Sequence, residues 1–320
     1  MEILKLIPTG KDYLWGGTRL RDEYGKKIDL TPLAETWECS VLPDGPSRIM
    51  NGEFKGRTLA EVLAQHPEYL GTKIKNGKLP FLVKLIDAKK DLSVQVHPND
   101  EYARKYENQN GKTEMWYVID ADEGASLVYG FRHKVIPEIL KEAVDTGTLD
   151  KHLQKVEVHK GDVFYVPAGT VHGIGKGILL AEVQESSNVT YRVFDYNRVD
   201  KNGRKRELRF DKAVQVMDMN PAPDIMQKSR LVKFYPGCSR ELLCRCKYFE
   251  VERVQISKGF SFSVLDSSFQ VLMCLDGFGQ VETADDRKPM RFQKGETMFL
   301  PAGMGRCYIV GDTEVLKIRC

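Results

Sequence analysis

Two side chains that can bind a metal ion lie two positions apart in the segment "DLSVQVHPND". Gln95 offers an amide oxygen and His97 offers an imidazole nitrogen. The segment alternates polar and apolar residues, which is typical of a strand with one buried face. Residues i and i+2 of a strand point to the same side of the sheet. We therefore expect both side chains to point together into the interior of a barrel.

Two further residues complete a possible ligand set. Glu114 begins the strand-like segment "EMWYVIDA", and His172 follows the Pro-Ala-Gly turn of "VPAGTVHGI". Two imidazoles, one carboxylate and one amide oxygen suit zinc, with one position left for water or substrate. Two histidines and a carboxylate also suit iron. The remaining histidines are assigned to packing or surface positions: His66, His133, His152 and His159.

The elements that must position these residues are predicted to be mainly short strands separated by Gly and Pro. Strand patterns include "FLVKLIDA", "EMWYVIDA" and "GILLAEVQ", and the C-terminal third adds "FEVERVQI" and "FQVLMCLDG". Helical spacing occurs in two segments, about 57–70 and 136–154. Thr58 is the expected N-cap of the first, with Glu61 three residues on, and Pro137 suits the first turn of the second. The fold is predicted to be mostly β with a small helical segment.

An internal repeat refines this prediction. The segment "HKGDVFYVPAGTVHGI" resembles "QKGETMFLPAGMGRCYI" near the C-terminus. The shared pattern of Lys-Gly-acid, apolar strand and Pro-Ala-Gly is similar to the turn and strand pair of a cupin barrel, the double-stranded β-helix or jelly roll. Two copies predict two such barrels. Aligned without a gap, His172 falls opposite Arg306, whose guanidinium cannot bind a cation.

The proline-containing segment "MDMNPAPDIMQKS" is the best candidate linker between the two barrels. We therefore predict a catalytic cupin domain over residues 1–225, which includes the helical segment. A C-terminal cupin-like domain without metal ligands is predicted over residues 230–320.

Composition narrows the class of protein. The chain has 320 residues, 42% hydrophobic and 29% charged, with a net charge of +3, which is too balanced to indicate nucleic-acid binding. The basic run "RVDKNGRKRELRF" is short and lacks interleaved aromatic residues, so we interpret it as a solvated hairpin tip. No apolar stretch is long enough to span a membrane. The scattered seven cysteines and an N-terminus unlike a signal peptide predict a cytoplasmic protein with reduced thiols.

Several ordered motifs resemble one known family. The segments "PFLVKLIDAKKDLSVQVHPND", "GKTEMWYVI", "VPAGTVHGIG" and "ESSNVTYRVFDYNR" are similar to those of the type I phosphomannose isomerases, zinc-dependent cupin enzymes, and most of all to their short bacterial form. "YLWGGTRL" and "LAETWECS" also match family segments. The resemblance covers nearly the whole chain. It implies interconversion of D-mannose 6-phosphate and D-fructose 6-phosphate through an enediolate.

The resemblance also implies roles for individual residues. It assigns one Zn²⁺ to the ligands Gln95, His97, Glu114 and His172. It assigns catalysis to Arg192, Lys112 and Glu182, with the last two as alternative candidates for the base. It assigns substrate binding to Lys84, Ser93, Lys112 and Arg192. Where longer relatives have Lys-Pro-Glu, this chain has Lys112-Thr113-Glu114, and it lacks their large helical insertion.

Three other functions remain open on sequence grounds. One is a cupin isomerase of another hexose phosphate. A second is a non-catalytic sensor that binds a sugar phosphate without converting it. A third is an iron cupin oxygenase, which would consume oxygen. In each of the first two, the expected partner is a small hexose 6-phosphate, and the chain is expected to be a monomer or a weak homo-oligomer.

Overall fold

The computed structural model describes residues 1–199, 203–225, 227, 229–284 and 289–320, which form mainly antiparallel strands. In chain order the strands are β1 Leu4–Ile7, β2 Thr9–Lys11, β3 Glu35–Cys39, β4 Arg48–Ile49, β5 Phe81–Ala88, β6 Val94–Val96, β7 Glu114–Ala121, β8 Ser126–Phe131, β9 Leu153–Glu157, β10 Val163–Val166, β11 His172–Gly173, β12 Ile178–Glu185, β13 Tyr191–Phe194, β14 Val232–Tyr235, β15 Cys238–Arg245, β16 Glu250–Ile256, β17 Gly259–Val264, β18 Gln270–Thr283, β19 Met290–Gln293, β20 Thr297–Leu300 and β21 Gly305–Arg319. The helices are α1 Arg19–Asp22, α2 Leu59–Gln65, α3 Asp100–Glu107, α4 Pro137–Asp145 and α5 Phe210–Val216, with single 3-10 turns at Pro67–Leu70 and Leu149–Lys151. The predicted mostly β class is confirmed.

Two facing sheets form the first barrel. One has the strand order β10-β7-β12-β5-β3-β2, and the other has the order β13-β6-β11-β8-β9. Apolar side chains from both sheets fill the space between them, among them Ile86, Trp116, Tyr129 and Leu180. The outer face of the second sheet is covered by α4 and α5, which bury Leu140 and Ala213 against it.

Strand β5 is buried along its whole length because both of its faces are covered. Phe81, Val83 and Leu85 point outward and join a core shared with the second barrel. The alternate residue Ile86 faces the interior of the first barrel. A strand has a period of two, so Lys84 is directed to that same interior. This explains why a lysine occurs inside the apolar run "FLVKLIDA".

The second barrel is built around a ten-stranded sheet whose main path is β14-β15-β16-β21-β18-β20-β1-β4. Strand β17 pairs with β21, and β19 pairs with β18. The N-terminal strand β1 pairs with β20, so this sheet recruits residues from the region predicted as the first domain. The sheet therefore crosses the boundary that we placed between residues 225 and 230.

The two predicted helical segments begin where the sequence indicates, whereas α1, α3 and α5 were not predicted. Thr58 caps α2: its hydroxyl accepts the N–H of Glu61, and the carboxylate of Glu61 accepts the N–H of Thr58. Pro137 is the first residue of α4. In the part of the chain that the structure describes, no helix is both long enough and apolar enough to cross a bilayer.

The two copies of the repeat differ by one residue in length. Arg306 is exposed on β21, whereas its neighbour Cys307 is buried in the core of the second barrel. The ungapped alignment therefore sets the inward-facing His172 opposite a residue that faces solvent. Cys307 takes the inward position, and all seven cysteines are free thiols.

Candidate metal centre

Three buried ligand groups converge inside the first barrel. His97 follows β6, Glu114 begins β7, and His172 begins β11. One ligand atom from each lies within 4.8 Å of the others, and all three residues are buried. Over the described ranges this is the only cluster of His, Cys, Asp and Glu that could hold a metal ion. Antiparallel pairing of β11 with β6 and of β7 with β12 brings them together from separate parts of the sequence.

Both imidazoles are held in the form that binds metals. Nδ1 of His97 lies 2.9 Å from the carbonyl of Val189, and Nδ1 of His172 lies 2.8 Å from the carbonyl of Thr170. A carbonyl can only accept, so each Nδ1 carries the proton and each Nε2 presents a lone pair. Burial lowers the pKa of His172 to about 4 and, together with the charge of Lys112, lowers that of His97 well below its usual value.

The carboxylate of Glu114 faces these lone pairs. Its Oε1 lies 3.2 Å from Nε2 of His172, and its Oε2 lies 3.5 Å from Nε2 of His97. Neither oxygen has a hydrogen-bond partner, although both are buried. Burial, with the negative charge of Glu182, raises the pKa of Glu114 to about 8. The ammonium of Lys112 lies near Oε2, but Oε1 faces the imidazole of His172. A buried acceptor that faces another acceptor is costly, and a cation among the three groups would satisfy them.

Gln95 adjoins the cluster. It pairs directly across the sheet with His172, and its Nε2 lies 3.5 Å from Nε2 of that residue. Its Oε1 accepts a hydrogen bond of 3.2 Å from the hydroxyl of Ser93. A half-turn of the amide would direct the oxygen to the cluster, and the hydroxyl of Ser93 could then accept from the amide nitrogen. The residues present thus fit a four-ligand metal site.

Lys112 supplies a positive charge beside the ligands. Its Nζ lies 3.1 Å from Nε2 of His97 and 3.3 Å from Oε2 of Glu114. The lysine is buried, yet it contributes to the wall of a cavity. A buried ammonium needs acceptors, and Lys112 contacts two of them, Nε2 of His97 and Oε2 of Glu114.

A second ion-paired group lies deeper in the barrel. Nζ of Lys84 lies 3.1 Å from Oε1 of Glu182 and 3.5 Å from Oε2 of Glu35. The indole of Trp116 donates to Glu182 at 2.9 Å, and the indole of Trp37 donates to Glu35 at 2.8 Å. Burial would raise the pKa of Glu182, but Lys84 and Lys112 outweigh it and lower that pKa to about 2. Glu182 is therefore an ionised carboxylate.

Two arginines extend the positive charge outward from the ligands. Arg192 pairs across the sheet with Gln95, donates to the carbonyl of Glu207 at 3.0 Å, and buries its Nε without a partner. Arg206 makes a two-pronged contact with Asp195, at 2.7 and 2.5 Å. Burial and the charge of Arg206 lower the pKa of Arg192. Adjacent guanidinium groups with free donors suit an anion that has several oxygens.

A cavity of about 510 Å³ joins these groups. Its lining includes Lys84, Ser93, Gln95, Lys112 and Arg192. Two other clefts, of about 560 and 640 Å³, are larger, but neither is lined by Gln95 or Lys112, two residues of the cavity wall that contact the clustered ligands. The chemistry of the lining, rather than the volume, therefore identifies the candidate site.

The structure brings together most of the residues that the sequence indicated. Lys84, Ser93, Gln95, Lys112 and Arg192 line the cavity, next to the buried ligands. Glu182 is not part of the lining. Sequence reasoning did not assign a role to the other wall residues, which include Tyr13, Trp15, Glu35, Asn188, Thr190, Arg206 and Arg209.

Some of these residues carried a signal in the sequence. Trp15 and Glu35 lie in the segments "YLWGGTRL" and "LAETWECS", which matched the family without a residue-level role. Arg206 and Arg209 belong to the basic run that we interpreted as a solvated hairpin tip. That interpretation was wrong for these two arginines, which face the cavity. The tip itself, residues 200–202, lies outside the described residues.

Similarity to known proteins agrees with this geometry. Residues 3–132 match the family model described as phosphomannose isomerase type I, catalytic domain, and residues 240–319 match the one described as mannose-6-phosphate isomerase, cupin domain. The mannose-6-phosphate isomerase ManA of Bacillus subtilis is 37% identical over 316 residues, 98% of either chain. The mannose-6-phosphate isomerase of Streptococcus mutans is 37% identical over 303 residues, 95% of this chain and 93% of the relative. A crystal structure of the mannose 6-phosphate isomerase from Bacillus subtilis superposes with a TM-score of 0.92 at 35% identity and covers 99% of both chains.

Proposed function

This chain belongs to the type I phosphomannose isomerase family, and we propose that it uses one Zn²⁺ per chain to interconvert D-mannose 6-phosphate and D-fructose 6-phosphate. The proposed ligands are Gln95, His97, Glu114 and His172. The observation that carries the proposal is the pair of buried imidazoles whose Nε2 atoms face the buried carboxyl group of Glu114, beside a cavity whose wall carries guanidinium groups.

The reaction moves a proton between two adjacent carbon atoms and creates an enediolate. Zn²⁺, when bound, polarises the sugar oxygens and stabilises that negative charge. The residues of the chain supply the rest of the chemistry: they bind the sugar phosphate, orient it, and transfer the proton.

Lys112 is favoured over Glu182 as the proton-transfer group because of its position, and its ammonium must release a proton before the neutral amine can accept one from the substrate. A base must lie within hydrogen-bond reach of the carbon-bound proton. Lys112 lines the cavity, whereas Glu182 is absent from the lining and is held by Lys84 and Trp116. A carboxylate whose pKa is lowered to about 2 is also a weak base. We assign to Glu182 the role of fixing the charge and orientation of Lys84.

Arg192 is the proposed anion-binding group nearest to the ligands. Its position beside Gln95 places the guanidinium between the metal-ligand candidates and Arg206. A planar guanidinium can bind two oxygens at once. We infer that Arg192 contacts the developing enediolate or the phosphate, with Lys84 and Ser93 as further contacts to the substrate.

A direct test uses protein stripped of metal by a chelator and reloaded with zinc. We expect the reloaded protein to form fructose 6-phosphate from mannose 6-phosphate in a coupled assay, and the stripped protein to be inactive. Iron-loaded protein in an oxygen electrode provides a control, and we expect no substrate-dependent oxygen uptake.

The outcome distinguishes the alternatives. Binding of mannose 6-phosphate to the zinc-loaded protein without any product would favour the sensor. Faster conversion of a different hexose phosphate would favour the related isomerase.

The free thiols of all seven cysteines support our inference of a reducing, cytoplasmic location.

A further inference from the structure

The segment Asn110–Glu114 connects α3 to β7 and carries two of the charged groups of the site. Lys112 approaches His97, and Glu114 faces both imidazoles. The positions of these two side chains depend on the backbone between them. That backbone is held by side chains that do not line the cavity and that have no role in the proposed function.

Glu185, the last residue of β12, makes two hydrogen bonds to the backbone of Thr113. Its Oε2 accepts the N–H of Thr113 at 2.7 Å, and its own N–H donates to the carbonyl of Thr113 at 3.0 Å. Its side chain is almost completely buried, at 2% exposure. Thr113 is the residue between Lys112 and Glu114, so Glu185 fixes the peptide groups from which both side chains project.

Asp100, the first residue of α3, holds the beginning of the same segment. Its Oδ1 accepts the N–H of Gly111 at 3.0 Å. A Cβ atom at Gly111 would lie 2.4 Å from the backbone nitrogen of Asp100, so the two backbones are in contact and only glycine fits there. Asp100 and Glu185 thus accept the N–H groups of Gly111 and Thr113, which flank Lys112 in the same segment. The two acids therefore form one unit behind the segment.

The second barrel contacts this unit. The hydroxyl of Tyr248, just before β16, donates to Oδ2 of Asp100 at 3.4 Å. Nζ of Lys247 lies 3.7 Å from the same oxygen. A continuous set of contacts thus runs from the second barrel through Asp100 to the backbone of Gly111, two residues before Thr113.

We propose that Glu185 and Asp100 are positioning residues, which fix Lys112 and Glu114 in the geometry that metal binding and turnover require. The part of this inference that concerns turnover rests on the proposed function, and the part that concerns metal binding does not. Replacement of a residue that positions a metal ligand typically changes metal affinity or activity by about 10- to 100-fold. Small displacements of positioned groups have effects of similar size on catalytic rate.

The test compares Glu185→Ala with Glu185→Gln. The amide oxygen of glutamine can still accept the N–H of Thr113, whereas alanine cannot. Competition with a chelator measures zinc retention, and steady-state kinetics measure kcat and KM. We expect Glu185→Ala to weaken zinc retention and to lower kcat by about tenfold or more, with a smaller change in KM. We expect Glu185→Gln to stay within about threefold of wild type.

A matched control removes a buried carboxylate far from the metal centre. Glu252, on β16 of the second barrel, is 9% exposed and is paired with Lys317 and Arg240. Glu252→Ala should lower the thermal unfolding midpoint and leave zinc retention unchanged. Should Glu185→Ala lose thermal stability in the same way but keep wild-type zinc retention and kcat, Glu185 has only a structural role and the proposal is refuted.

A second variant keeps the proposal testable if Glu185→Ala does not fold. Asp100 has a side chain that is 17% exposed, so its replacement is better tolerated. Asp100→Ala removes the acceptor of Gly111 and should weaken zinc retention several-fold, whereas wild-type retention and kcat would contradict the proposal. If wild-type protein shows no isomerase activity, the proposed function fails, but zinc retention in these variants still decides the positioning role.

Discussion

The state of each imidazole at the metal centre is decided by one backbone carbonyl. The carbonyls of Val189 and Thr170 accept hydrogen bonds from the Nδ1–H groups of His97 and His172, so that each Nε2 carries the lone pair that can bind a cation. Burial keeps both rings neutral at neutral pH because it lowers their pKa values. The ligand form of these residues is therefore present before any metal binds.

Replacement of the two histidines tests the metal centre directly. His97→Ala and His172→Ala should each lower the zinc content from about one per chain and abolish turnover, because each change removes one of the few ligands. Zinc can be measured by mass spectrometry after gel filtration. His133→Ala is the control, since His133 is exposed and paired with His152 on the surface. A double variant that retained full zinc content would refute the site.

Replacement of Arg192 tests the anion-binding role. Lysine keeps the positive charge but loses the planar two-pronged donor. We expect Arg192→Lys to keep zinc and fold but to lose activity, and Arg192→Ala to lose more, on the order of a hundredfold or greater. A drop in kcat would indicate a contact formed in the transition state, whereas a rise in KM alone would indicate uniform loss of substrate binding. Wild-type kcat in Arg192→Ala with zinc intact would exclude a catalytic role.

At the scale of the elements, strands covered on both faces position the charged groups of the site. Strand β5 presents apolar residues to the shared core on one face and Lys84 to the barrel interior on the other. Glu182 on β12 lies directly opposite Lys84, so the register of the two strands sets this ion pair. A shift by one residue would point Lys84 into the shared core, where a charge would be costly.

Strand β16 uses a similar ion pair for stability, and this pair should depend on pH. Burial would raise the pKa of Glu252, but Lys317 and Arg240 outweigh it and the pKa is lowered from 4.5. A carboxyl whose pKa is lower in the folded state stabilises the fold above its unfolded pKa, and this contribution disappears as the pH falls through the folded value. Glu252→Gln should therefore cost about 1–3 kcal/mol at pH 7, and the cost should shrink at about pH 3.5.

Urea unfolding at the two pH values measures this effect. Asp145→Asn in α4 is the control, because Asp145 and Lys141 are more than half exposed, and such pairs contribute less than about 0.5 kcal/mol. An equal cost of Glu252→Gln at both pH values would show that the ion pair is not the source of the stability.

At the scale of the whole molecule, the two barrels share one core. Phe81 of the first barrel stacks at 5.3 Å from Phe269 of the second, which packs at 5.0 Å against Phe299. Lys26 and Glu38, from the N-terminal region, form a buried ion pair whose carboxylate also accepts the hydroxyl of Thr297 on β20. The second barrel thus stabilises the first by packing and by buried polar contacts.

Two substitutions in the second barrel should show that this barrel contributes to stability and not to catalysis. Arg306 is exposed, and its guanidinium donates to the hydroxyl of Ser261 at 3.4 Å. Arg306→Ala should leave zinc content and turnover near wild type. Phe269→Ala should cost about 3–5 kcal/mol because it opens a cavity in the shared core. Thermal unfolding and the isomerase assay check both results, and a large loss of activity in Arg306→Ala at unchanged stability would contradict this division.

The sequence by itself indicated the strand-rich class, two of the described helices and the candidate ligands. Alternating polarity around Gln95 and His97, the glutamate that begins β7, and the histidine after the Pro-Ala-Gly turn are local patterns, and strand periodicity fixes the direction of each side chain. The capping box at Thr58 is equally local. The KGD/E…PAG repeat indicated two barrels because each copy specifies the same turn and strand.

Only the tertiary structure decided which distant residues meet. Sheet register brings Glu35 to the cavity, and the segment before α5 brings Arg206 and Arg209. The local patterns around these residues do not distinguish them from surface or core positions. The pairing of β1 with β20 joins the N-terminal and C-terminal regions of the chain. The contact of Tyr248 with Asp100 joins the second barrel to the first. Strand pairing and core packing between residues far apart in sequence set these contacts, and local periodicity carries no information about them.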